Sequence, residues 1–485
     1  MFSNQQIADD DFVQRIAAAL GNPPDLIIQN FQLSSDLTGC CVSIRTITDK
    51  EKIENYIIRP LITATSLKTE LPESMIQAVK HVISAIPVKL ESDFSTCVQS
   101  ILRGNVILSI PRSKEVLLID VSLYSTRSIA ESQSEPTIRG PHESFVESIE
   151  SNLSLVRKRL RTPHLRMEQI TLGDTTQTQV ITAYLENVAS PEIVNEFRTR
   201  ISSIKADSIL ESAYIEEWIQ DTTLTPFPTL YNTDRPDVVT AHLLEGKVAV
   251  FIEGAPNVLL GPCTFFQFFN AAEDYYQRSD VATVLRWLRF LAFLLSVFLP
   301  STYVGIVSYH QELLPTPLLI SFSAQRETVP FPAFVEALLM MVTLEILREA
   351  GLRMPRIAGQ AISFVGAIVL GEAAVQAGLV SGAMVIVVAV TAISNFVTPA
   401  YNLGISQRLI QFALLFLSGF MGLYGVLCGT LFMLTHLVNL KSFGVPYFAP
   451  IAPFILTDLK DTIIRVPRPK MKTLPKTMKP RRKNR

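Results

Sequence analysis

No aspartate occurs between Asp280 and Asp458, and no lysine between Lys247 and Lys441. A water-facing domain has no reason to avoid both residues over such a distance. A lipid bilayer does, because an ionised side chain at its centre costs about 2.5–3.5 kcal/mol even on the most lenient insertion scale. The chain therefore divides into a soluble front, up to about residue 280, and a membrane part of about 160 residues. The front lacks an apolar leader, since "MFSNQQIADDDFVQRI" opens with an acidic cluster, and it is expected to stay in the cytoplasm. Eleven lysines and arginines against one acid, Asp461, crowd residues 460–485. A solvated basic tail of this kind points to the cytoplasmic side and to anionic headgroups, and no aromatic residue interleaves the bases as nucleic-acid binding would ask.

The front repeats itself. "LRGNVILSIPRSKEVLL" (102–118) aligns without a gap on "LEGKVAVFIEGAPNVLL" (244–260), each reading as strand, turn and strand. Upstream, "CVSIRTITDKEKIENYI" (41–57) parallels "TAYLENVASPEIVNEFR" (182–198), with Asp49 and Ser190 placed as helix N-caps. Two tandem α/β subdomains fit this pattern, against chance likeness between β-rich segments. The expected fold class is thus an α+β soluble region of two such subdomains followed by an α-helical multi-span membrane domain. Its expected divisions are 1–135, a linker helix at 136–164, 165–280, the membrane domain at 281–440 and a basic cytoplasmic tail at 441–485. The run Arg157–Arg161 reads as a solvated helix end, or as a contact for a partner or headgroups.

Enzyme signatures are missing. There is no GxxxxGK[ST], no GxGxxG after a strand, no HExxH and no GxSxG, and the five cysteines show no CxxC. No cofactor, metal or catalytic residue is called for, and the chain reads as a non-enzyme.

In the membrane part, 284–309 is long enough to span, 358–378 and 381–400 form a hairpin, and 409–438 is long, with Gly419, Gly422 and Gly425 as a flexible or close-packing point. Between them lies the region 313–353, "LLPTPLLISFSAQ" (313–325), too short to cross alone, and then "RETVPFPAFVEALLMMVTLEILREAGLR" (326–353), with prolines at 315, 317, 330 and 332. It reads as a broken or re-entrant element followed by an interfacial helix, with Glu345–Arg348 and Glu349–Arg353 spaced to pair. The alternative is a further span with salt bridges between helices. Four crossings put the front and tail on one side, whereas Arg348, Arg353 and Arg356 argue for five. Gly359, Ser363, Ala367 and Gly371 recur every four residues as a helix-packing face. Beside them run Gln360, Phe364, Ile368, Glu372 and Gln376, with Val365 and Val369 one position away. Several copies of that face around an axis make a pore with an apolar constriction and an acidic ring; one copy makes only an intramolecular contact. No internal repeat is visible in the membrane half, against a secondary transporter.

Together, "RGPHESFVESIESNLSLVRKRL", "TPFPTLYNTDRPDVV", "AEDYYQR", "RETVPFPAFVEALLMMVTLEILREAGLRMP", "GQAISFVGAIVLGEAAVQAGLV" and "SFGVPYFAP" closely resemble the A subunits of GerA-type spore germinant receptors. The likeness runs from about residue 40 to about residue 468. It implies an inner-membrane protein of a bacterial endospore, with a transporter-like B subunit and a lipoprotein C subunit as partners. It further implies a homo-oligomer, a pentamer in that family, that releases monovalent cations as germination starts. The channel-like protein of the spoVA locus, and a non-conducting membrane scaffold, are the alternatives. On this reading Arg326, Glu327, Glu336, Glu345 and Arg348 would be buried machinery coupling the soluble front to the pore.

Overall fold

The computed structural model describes residues 11–34, 37–63, 72–83, 86–110, 113, 115–123, 135, 137–353 and 371–482. They form two compact units. The first comprises residues 1–220, 230–262 and 472–485; the second comprises 221–229 and 263–471. The chain thus leaves the first unit after Gln220, returns at Leu230, and leaves again after Pro262.

The first unit holds two antiparallel five-stranded sheets. In chain order the strands are β1 (Leu26–Ser34), β2 (Leu37–Ile44), β3 (Val88–Glu91), β4 (Asn105–Ser109) and β5 (Val116–Asp120). The second set is β6 (Leu165–Leu172), β7 (Thr178–Leu185), β8 (Tyr231–Thr233), β9 (Val248–Ile252) and β10 (Val258–Gly261). Their orders are β1-β2-β4-β5-β3 and β6-β7-β9-β10-β8, one topology used twice. Gly104 and Gly246 occupy the same place in each copy, just before the inner hairpin, at φ +94° and +91°. A Cβ at Gly104 would lie 2.8 Å from the Ile47 carbonyl oxygen, and one at Gly246 would lie 3.3 Å from that of Val188. Ile47 and Val188 are themselves equivalent in the repeat, so a left-handed turn and its close neighbour are duplicated together.

Strand β4 explains why these sheets are apolar on both faces. Val106 and Leu108 enter one buried cluster with Ile57 and Val79, while Ile107 enters another with Val13, Cys97 and Ile101. Period-two alternation sends neighbours to opposite faces, and helices cover both. Asp49 caps its helix as expected, accepting from the Glu51 and Lys52 amides. Ser190 holds the equivalent position without a side-chain bond, and Pro191 follows it.

A buried ion pair ties the first copy to the linker helix. Arg157, on the helix Ile149–Arg159, donates from Nε and Nη2 to the two carboxylate oxygens of Asp25 at 2.6 Å each. Thr46 Oγ1 donates to the same carboxylate, and both charged residues are at most 3% exposed. Arg157 is thus neither a solvated helix end nor a free partner contact. Arg159, two residues on, pairs with Glu143. The polar stretch before this helix is also anchored, because buried Arg235 donates to the Glu135 and Pro141 carbonyls and to Thr137 Oγ1.

The second unit is helical: α1 (Ser279–Tyr309), α2 (Thr316–Arg326), α3 (Ala333–Arg353), α4 (Gly382–Phe396) and α5 (Tyr401–Asn439). Helices α1 and α5 are long and apolar enough to cross a membrane, and α5 exposes Phe420, Tyr424 and Phe432. Helix α4 has 15 residues, about 22 Å at 1.5 Å per residue. At Gly422 (φ +59°, ψ −142°) α5 breaks. The carbonyl freed at Gly419 accepts from Tyr309 Oη at 2.6 Å, so the kink leaves that group satisfied. Gly419 faces the Phe334 ring and Gly425 the Leu417 carbonyl, which makes this glycine triplet both a break and a close-packing point.

Beyond α5, the segment read as a solvated tail is partly buried. Lys441–Ser442 and Val445–Pro446 pair as a short hairpin. Tyr447 Oη donates to the Pro228 carbonyl and Ser442 Oγ to that of Thr229, bringing "SFGVPYFAP" against "TPFPTLY". Phe227 packs there among Phe265, Tyr447 and His436. In the first unit Leu474 and Met478 are buried, Lys479 pairs with Glu192, and the Arg481 amide donates to the Val188 carbonyl.

Candidate functional site

The charged stretch 326–353 forms two helices parted at its prolines. Helix α2 ends at Arg326, Glu327 follows exposed, and α3 starts at Ala333. Pro330 and Pro332 supply no amide, and helix geometry is disfavoured at the residue before each, so the break falls where the sequence puts it.

Glu336, on the first turn of α3, is fully buried. Its Oε1 accepts from both the amide and the hydroxyl of Ser381, each at 2.6 Å. Ser381 is the N-cap of α4, so this carboxylate fixes the start of one helix to the side of another. Among the described residues Oε2 and Arg326 Nε have no hydrogen-bond partner. Tyr303 on α1 interacts electrostatically with Glu336 and Arg326 and packs its ring 6.0 Å from Phe322. Gln325 Oε1 accepts from the Ala383 amide and ties α2 to the same helix start.

A second cluster lies further along α3. Glu345 pairs with Arg348 at 3.1 Å and with Arg408 of α5, while Arg348 lies 5.6 Å over the Phe396 ring. Arg353 pairs with Glu349 at 2.6 Å. Four of the five expected coupling residues thus fall into two groups, Arg326 with Glu336 and Glu345 with Arg348; Glu327 joins neither. Sequence reading missed Ser381, Tyr303 and Arg408. Arg408 carried a signal, since a lone arginine in a 39-residue apolar helix needs a carboxylate.

Of the expected pore face, Gln360, Phe364, Val365, Ile368 and Val369 lie outside the described residues, as do Gly359, Ser363 and Ala367. Glu372 and Gln376 are exposed on one helical turn, Gln376 Nε2 donating to Glu372 Oε1 at 3.1 Å. Gly371 is buried, its would-be Cβ 3.6 Å from Val385.

In the first unit two perturbed groups share Tyr231. Burial pushes the Glu135 carboxyl up to about 7, its hydrogen bond from Tyr231 Oη partly opposing the shift. Burial, with Lys247 beside it, pushes His242 down to about 4, its ring 5.6 Å from that of Tyr231. Among the described residues no group of three or more His, Cys, Asp or Glu could hold a metal.

Residues 14–477 match the family described as Bacillus/Clostridium GerA spore germination protein. The chain belongs to that family. It is 42% identical over 450 residues to Spore germination protein KA of Bacillus subtilis, covering 92% of this chain and 82% of that one. Spore germination protein GerLA of Bacillus cereus is 37% identical, with 96% and 94% covered. An uncharacterized membrane protein, YfkQ of Bacillus subtilis, is 41% identical, with 91% and 86% covered. The crystal structure of the N-terminal domain of the A subunit of the Bacillus megaterium spore germinant receptor GerK3 is 30% identical. It covers 55% of this chain and 98% of its own, with a TM-score of 0.42. The GerA-family chain described here is thus a germinant-receptor A subunit and a membrane protein with two candidate spans, and its family is not a known enzyme family.

Proposed function

We propose that this A subunit oligomerises around the segment 358–378 as a ligand-gated pore that releases monovalent cations at the start of germination, and that it has no catalytic activity. It would act in the inner membrane of the spore, with the soluble unit facing the core, beside the transporter-like B and lipoprotein C subunits of the receptor. The observation that carries the reading is Glu372. Its side chain and that of Gln376 are exposed on one turn, four and eight residues in sequence past Ile368, the expected constriction. Repeated around an axis, such a turn supplies a hydrated acidic ring that concentrates cations. The Glu336 and Glu345 clusters support a coupling role for 326–353, since each joins α3 to a different helix, α4 and α5. The divisions between subdomains, linker helix, membrane domain and basic end are proposed as the working boundaries of this machine.

The test is ion release from spores, with protein level measured in parallel. Ile368→Ala is expected to raise basal leak by widening the constriction. Glu372→Gln should lower triggered cation release at unchanged protein level, because it removes charge with little change in volume. Unchanged leak and release in normally expressed alanine variants at 364, 365, 368 and 369 would rule this helix out as a pore lining.

A further inference from the structure

At the start of α1 the second unit gathers four guanidinium groups around two carboxylates. Asp274, with no exposure, accepts from Arg286 Nε at 3.0 Å and from Arg289 Nη1 at 2.8 Å. Asp461 accepts from Tyr275 Oη at 3.0 Å and from Arg286 at 3.3 Å. Those two acids are therefore matched by Arg286 and Arg289. Arg465 and Arg468 are left over. Each lies 5.6 Å from the centre of the Tyr275 ring, as does Arg286. Among the described residues neither has a carboxylate within ion-pair distance. Arg465 is 6% exposed and its Nε has no hydrogen-bond partner. Cation–π contact with one ring offsets only part of the cost of burying a guanidinium, and a buried charge ordinarily has a counter-charge. Among the described residues no carboxylate pairs with either of these two guanidinium groups.

The surroundings say which anion would meet them. Trp287, one residue past Arg286, is half exposed and donates its indole N–H to the Ile463 carbonyl at 3.1 Å. Val284, Leu288 and Leu291 are exposed beside it along α1. An amphipathic ring with its polar end tied down, at the foot of an apolar helix face, marks the level where acyl chains give way to headgroups. Arg468 is exposed and opens the cluster to that level. Guanidinium groups bind phosphate oxygens through paired N–H donors, and basic pockets beside membrane helices hold anionic headgroups.

We propose that Arg465 and Arg468, held around Tyr275, bind the phosphate of an anionic phospholipid at the start of α1. The lipid completes the charge balance of this corner and anchors the 459–468 segment to the helix.

The experiment uses the full chain in detergent. Native mass spectrometry counts lipid adducts after addition of phosphatidylglycerol, phosphatidylcholine or inorganic phosphate. The wild type should retain phosphatidylglycerol in preference to phosphatidylcholine, and inorganic phosphate should not displace it at equal concentration. Exposed Arg468→Gln should keep the fold and weaken retention about fivefold, from roughly 1 kcal/mol per basic residue near an anionic surface. The double variant Arg465→Gln, Arg468→Gln should lose it further, while Arg353→Gln, in a remote exposed pair, should not. If the double variant fails to fold, Arg468→Gln alone decides. Equal retention by Arg468→Gln and wild type overturns the proposal. So does equal retention of phosphatidylcholine, or displacement by inorganic phosphate at equal concentration.

Discussion

Burying a carboxyl group among apolar helices is costly unless its oxygens are met, and at Glu336 one of them is met twice. Both donors come from Ser381, the residue where α4 begins, so this oxygen also satisfies an amide that a helix start would leave open. Glu336→Ala strands that amide and hydroxyl in the interior, and a buried donor left unpaired costs about 1–3 kcal/mol. Glu336→Gln keeps an acceptor oxygen in place and should lie within about 1 kcal/mol of wild type on the same scale. Thermal unfolding of the detergent-solubilised chain measures both. A glutamine variant less stable than the alanine variant would contradict the role of this residue as the acceptor that holds Ser381, the N-cap of α4.

Among elements, the break in α5 has the sharpest requirement. Gly422 combines positive φ with a neighbour so close that a Cβ would lie 2.8 Å from Cβ of Tyr309. Gly444 also has positive φ (+77°) but nothing within 4 Å. Gly444→Ala therefore carries backbone strain alone, of order 1–3 kcal/mol, while Gly422→Ala adds a clash between α1 and α5. The loss in thermal midpoint should be clearly larger at 422, and equal losses would refute the packing account. The glycine triplet was legible in the sequence because glycine inside an apolar helix has few other reasons to be there. The repeat was legible for a similar reason: Gly104 and Gly246 sit at one offset in two strand–turn–strand patterns. Pairs within a helix, Glu345–Arg348 and Glu349–Arg353, follow from spacing alone. What stayed hidden is long range. Asp25 lies 132 residues from Arg157, Glu336 45 from Ser381 and Arg408 63 from Glu345. A basic run at a helix end reads the same whether solvated or buried against a distant acid, so nothing local in Arg157–Arg161 names Asp25.

For the whole molecule, the packing of residues 472–482 within the first unit bears on topology. Lys479 reaches Glu192, and Arg481 bonds the Val188 and Glu186 carbonyls. A segment that follows the last span and packs on the soluble sheets has to lie on their side of the membrane, which requires an even number of crossings. Cysteines placed at Ser151 and Pro475 should therefore react alike with an impermeant thiol reagent, and with the orientation proposed above both should resist it in intact cells. Cys428, the exposed native thiol, is first changed to serine to remove background. Modification at one site and not the other would mean an odd number of crossings. The excursion of residues 221–229 out of the first unit has a practical side as well. A soluble fragment cut after Pro262 would keep Phe227 but lose Phe265, His436 and Tyr447, the rings that enclose it. Such a fragment would carry a sticky apolar loop into buffer and would be missing its own last strip of chain. Joining residues 472–482 back on, and making Phe227 polar, is the preparation this architecture asks for.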